Sequence, residues 1–101
     1  MEQYEIEPLI KEMEKELDGK TVRYLYKDNL HHLIIEGGGL SFFIYINPRY
    51  FEEEDSMDIL NELNKFQVIE TINNAKEPLW LYLSATGLQK VDASFIRTKP
   101  K

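Results

Sequence analysis

Six carboxylates, Glu52, Glu53, Glu54, Asp55, Asp58 and Glu62, fall within eleven positions that contain no lysine or arginine. Side chains of this type can hold a hard cation, work as an acid and base pair, or present a negative surface. A calcium loop alternates its oxygen ligands around a central glycine, and EEEDSMD does neither. Acid and base work needs an apolar pocket that separates two carboxylate pKa values, and no such pocket is apparent in the run. Two readings remain: a solvated loop with favourable negative charge at a helix N-terminus, or a surface matched to a basic partner.

His31 and His32 are neighbours in a strand-like run, where successive side chains project to opposite faces, so the pair cannot serve one metal. With no cysteine in the chain, and only Asp28 and Glu36 near in sequence, a zinc site has no ligand set. Gly37, Gly38 and Gly39 invite comparison with a phosphate loop, which needs a strand before and a helix after. Here LSFFIYI follows as a strand, so the glycines read as a hairpin turn. Ser41, Ser56, Ser84 and Thr86 sit in no nucleophile elbow. No catalytic residue, metal or cofactor is expected.

The elements that must carry these residues are readable from periodicity. Ile6, Leu9, Ile10, Met13 and Leu17 follow one helical stripe, with Pro8 tolerated in the first turn and Gly19 placed to end it. Thr21 to Tyr26, Leu30 to Glu36 and Leu40 to Ile46 are rich in β-branched and aromatic residues, and the short turns between them predict a three-stranded antiparallel meander. After NPRYFEEEDS, a second helix runs through Met57, Ile59, Leu60, Leu63 and Phe66. Its end falls near Phe66, the preferred reading because VIETI is β-branched, or near Asn74, because Phe66, Ile69 and Ile72 keep an i, i+3 spacing.

PLWLYLS alternates, with Leu79, Leu81 and Leu83 on one side and Trp80 and Tyr82 on the other. Phe43 and Tyr45 join the second set if the same alternation governs LSFFIYI; otherwise Leu40, Phe42, Ile44 and Ile46 lie there. Residues 88–96 form a last strand or a short capped helix, with strand preferred. The prediction is an α+β domain of order α-β-β-β-α-β-β: an antiparallel sheet of four to five strands, with an N-terminal and a central helix packed on one face. Residues 1–101 form one domain, frayed over 97–101.

A formal net charge of −6 argues against direct nucleic-acid binding, which relies on a basic face that releases counterions. The start of the chain is acidic from Glu2, unlike a secretory signal, and no apolar run is long enough to span a bilayer. The expectation is a cytoplasmic protein without a membrane partner, of bacterial or phage type.

These observations lead to a small, non-enzymatic protein-binding domain that inhibits or escorts another protein with a basic surface. In charge and size the acidic stretch resembles the carboxylate surfaces with which nuclease immunity proteins and DNA-mimicking antagonists of restriction or CRISPR enzymes fill basic grooves. The expected contact set is Glu52, Glu53, Glu54, Asp55, Asp58 and Glu62, with Tyr50, Phe51, Trp80 and Tyr82 as apolar anchors. The alternatives are an assembly adaptor or chaperone that forms a homodimer through an aromatic sheet face, and a small enzyme or ligand carrier using His31 or His32 near Gly37 to Gly39.

Overall fold

A computed structural model describes residues 3–49, 56–84 and 86–92, with the backbone alone for residues 3–5 and 56–58. Tyr50, Phe51, Glu52, Glu53, Glu54 and Asp55 lie outside the described residues, as do Ala93 to Lys101 and therefore the expected frayed end. The chain runs α1 (Gln3–Glu16), β1 (Thr21–Lys27), β2 (Leu30–Gly37), β3 (Leu40–Ile46), α2 (Ser56–Lys65), α3 (Val68–Asn74), β4 (Leu79–Ser84) and β5 (Gly87–Val91).

The first three strands form the expected meander, because each connection is a two-residue turn that returns the chain beside itself. Asp28 and Asn29 both take positive φ, as do Gly38 and Gly39, the backbone pattern of the hairpin turns that match strand twist. Gly37 is glycine for a different reason: a Cβ there would lie 2.6 Å from Lys20 Cγ and 3.0 Å from the Gly19 carbonyl oxygen. The three glycines thus serve one turn and one close approach.

The sheet is mixed, which corrects the expectation of antiparallel pairing throughout. Its order is β1-β2-β3-β4-β5, but β4 lies parallel to β3, with Phe42 beside Leu79, Ile44 beside Leu81 and Ile46 beside Leu83. A parallel neighbour requires a crossover of a dozen or more residues. Residues 47–78 supply it, and α2 and α3 carry the chain back over the sheet. β5 then pairs antiparallel with β4, so residues 87–91 adopt the preferred strand.

The central helix divides in two. It stops at Lys65, Gln67 takes the left-handed conformation at φ 59° and ψ 33°, and Val68–Asn74 forms a separate short helix. Tertiary burial overrides the β-branched propensity of VIETI: Val68, Ile69 and Ile72 fall on one helical side and are all buried. Phe66 marks the break and is 38% exposed rather than inward.

One core forms between the helices and one sheet face. Ile6, Leu9, Met13 and Leu17 of the first helical stripe meet Ile59, Leu60 and Leu63, the α3 triad, and Val22, Leu33, Ile35, Phe42, Ile44, Ile46, Leu79, Leu81 and Leu83. Asn73 ties the layer together: its Nδ2 donates to the Glu16 carbonyl, and its Oδ1 accepts from the Asp18 N–H, both at 2.9 Å. These bonds satisfy backbone groups at the end of α1 that the helix itself cannot.

Candidate binding face

Strand alternation sends every other side chain of the sheet away from the helices, and the pairing registers determine which of these meet. One row reads Leu25, His32, Tyr45, Tyr82 and Gln89; the next reads Arg23, Ile34, Phe43, Trp80 and Val91. Leu40, Phe42, Ile44 and Ile46 lie on the helix side, so the aromatic alternation holds in β3 as it does in β4.

Phe43 and Trp80 form an offset, near-parallel stack, with centroids 5.8 Å apart and planes inclined by 5°. Tyr45 continues from Phe43 at 6.5 Å and 16°, and His32 meets the Tyr45 ring edge-on at 5.0 Å. Offset stacks and edge contacts of this kind hold aromatic rings beyond simple area burial. The Asn47 Nδ2 donates to Tyr82 Oη at 3.0 Å, fixing the second ring of β4 from the end of β3. Phe43, Trp80 and Tyr82 are half-buried. Burial raises the Tyr45 hydroxyl pKa.

The two histidines separate as their adjacency requires. His32 lies on this face and donates from Nε2 to the Lys27 carbonyl at 3.0 Å; burial lowers its pKa. His31 points to the helix side, shares a 2.7 Å hydrogen bond between Nδ1 and Tyr24 Oη, and contacts the Tyr24 and Tyr26 rings. Burial pushes its pKa down to about 4. Each imidazole is engaged in packing, and no cluster of three or more metal-ligating side chains occurs among the described residues. Two open grooves of ≈ 520 Å³ each flank α3, lined largely by Gln67, Glu70 and Asn74 with their neighbours; neither includes a histidine or the Gly37 to Gly39 turn.

Of the expected contact residues, Trp80 and Tyr82 share the aromatic face. Asp58 lies in the first turn of α2, and Glu62 is half-buried one turn later. Because α2 buries Ile59, Leu60 and Leu63 against the opposite sheet surface, these two acids belong to a different side of the molecule from Trp80. Sequence reasoning omitted His32 and Asn47 from this face. Alternation within β2 could have added His32, whereas the Asn47 to Tyr82 contact depends on the nonlocal pairing of β3 with β4.

Among the described residues no helix is long and apolar enough to cross a membrane. No protein family matches the chain, and no curated protein or solved structure shows significant similarity to it.

Proposed function

We propose that this chain is a small acidic, non-enzymatic protein-binding domain of the cytoplasm, with the aromatic sheet face as its apolar contact surface. Its partner in this reading is a basic, nucleic-acid-handling enzyme that it inhibits or escorts, as an immunity or anti-defence protein does. The observation that carries the reading is the Phe43–Trp80 stack, continued by Tyr45 and Tyr82, on the side of the sheet away from α1, α2 and α3. Grouped Trp, Tyr and Phe side chains supply the energetic centres of protein interfaces at low entropic cost. The charge of −6 favours a basic partner and a fast, salt-sensitive encounter.

The test is capture of partners by the immobilised chain at ~0.1 and ~0.5 M salt, between which screening lengths differ about twofold. A basic nucleic-acid enzyme should be recovered at low salt, then lost both in a Phe43→Ala, Trp80→Ala variant and when Glu52 to Asp55 are reversed to lysine. Recovery unaffected by either change would refute the proposal. The same stacked face also favours a second reading, an adaptor that pairs with its own copy. That reading requires self-association that resists salt and disappears with Trp80→Ala.

A further inference from the structure

Among the described residues β1 is an edge of the sheet, paired with β2 alone. The two-residue turn at Asp28 and Asn29 makes Lys27 and Leu30 a hydrogen-bonded pair. Thr21, Arg23, Leu25 and Lys27 therefore direct their peptide groups toward β2, while Val22, Tyr24 and Tyr26 direct theirs outward. Val22 follows this parity: its N–H donates to Glu14 Oε2 of α1 at 2.8 Å. The carboxylate closes the first outward position.

Tyr24 and Tyr26 have no comparable backbone partner among the described residues. The helix layer leaves Tyr26 open, while the Tyr24 side chain is half-buried against the core. Tyr26, on the helix side, is 53% exposed, and Leu25, on the other side, is 36% exposed. Unpaired edge groups accompanied by exposed apolar side chains are a template for an added strand.

The neighbouring charges select the occupant. Arg23 and Lys27 flank Leu25 on one side of the strand, so an antiparallel newcomer sets its own residues opposite cation, leucine and cation. A second copy of this chain, in the register that pairs Tyr24 with Tyr26 of its mate, would place Arg23 against Lys27 twice, and like charges directly opposite destabilise a sheet. Arg23 does contact Glu36 at 3.2 Å, but both side chains are well exposed, and such surface pairs exchange readily. The net charge of −6 opposes an acidic ligand at long range, where screening beyond ~8 Å leaves the local pairs dominant.

We infer that the strip Arg23 to Lys27 docks an extended peptide of alternating acidic, apolar and acidic residues, added antiparallel to β1 through the outward groups of Tyr24 and Tyr26. This site is separate from the aromatic face and does not depend on the function proposed for that face.

The test titrates isotope-labelled full-length protein with acetyl-Ser-Glu-Thr-Val-Thr-Glu-Ser-amide, and in parallel with the same peptide carrying lysine for glutamate. The Tyr24 and Tyr26 amides should shift saturably and exchange at least ~10-fold more slowly when bound, while Val22 is unchanged. Lys27→Glu, at an exposed position, should weaken binding at least ~5-fold, as should the lysine peptide. Tyr26→Pro removes an N–H that the β1–β2 ladder does not use, so binding should be lost while the circular dichroism spectrum is retained. Absence of a saturable shift at Tyr24 and Tyr26 up to ~5 mM peptide, or equal affinity for the lysine peptide, would overturn the inference. Protection of these amides that grows with protein concentration alone would assign the edge to a second copy and overturn it equally.

Discussion

Acidification from pH 7 to pH 5 should weaken the fold through His31. The imidazole is 3% exposed, hydrogen-bonded to Tyr24 Oη, and held by burial to a pKa of about 4 against an ordinary value of 6.5. The unfolded chain therefore binds this proton more readily than the native one. Stability is complete above pH 6.5 and falls as the pH drops toward 4, where the whole difference, about 3 kcal/mol, has been lost. Between pH 7 and pH 5 the linkage amounts to roughly 2 kcal/mol, and His32, also lowered by burial, adds a loss of the same sign. Ordinary Asp and Glu side chains titrate below this window. Urea unfolding at pH 7, 6 and 5, followed by Trp80 fluorescence and checked by far-ultraviolet circular dichroism, measures the slope. In His31→Phe the ring contacts persist, half-buried Tyr24 can turn its hydroxyl to water, and the loss should shrink to less than about half. A wild-type protein of constant stability over this range, or a His31→Phe variant with an undiminished slope, would refute the assignment.

Three further outcomes follow from the packing. Gln67→Gly should stabilise the domain by about 1 kcal/mol, because the left-handed backbone at φ 59° strains any residue with a Cβ; the urea midpoint should rise with no change in the slope of unfolding against urea. Asn73→Ala should cost roughly 1–2 kcal/mol by removing both bonds to the end of α1, with faster amide exchange at Asp18 as a local readout. Phe42→Ala should cost about 3–5 kcal/mol, since that ring is 1% exposed in the core, whereas Phe43→Ala, half-buried on the other face, should cost less than half as much in the same unfolding assay.

What could be read from the sequence was what depends on near neighbours. The α1 stripe, the two hairpin turns and the alternation of Leu79, Leu81 and Leu83 are each fixed within about ten residues, and each appears where its spacing places it. The opposite faces of His31 and His32 follow from the same local rule. The parallel partnership of β3 and β4 does not, because residues 47–78 separate the strands and short-range periodicity is silent on which edge the returning strand joins. VIETI misled through propensity: isolated, its β-branched residues favour a strand, but one side of a short helix lets Val68, Ile69 and Ile72 all reach the core. The closure of Val22 by Glu14 was equally illegible, since it requires the placement of α1 along the sheet edge.

The β3–β4 register joins stability to the proposed binding surface. It sets Phe42 beside Leu79 and Ile44 beside Leu81 toward the helices, and in the same step Phe43 beside Trp80 and Tyr45 beside Tyr82 away from them. A slip of one residue would exchange the two faces, burying the aromatic set and exposing the aliphatic core. Selection for a buried core therefore holds the aromatic row in place without a contribution from the partner. Phe43 and Trp80, half-buried on that face, can consequently vary in size and polarity at less cost to folding than the buried Tyr45 and His32, which is the freedom a recognition surface needs. Such a surface can then be altered at Phe43 or Trp80 without moving the strands that present it.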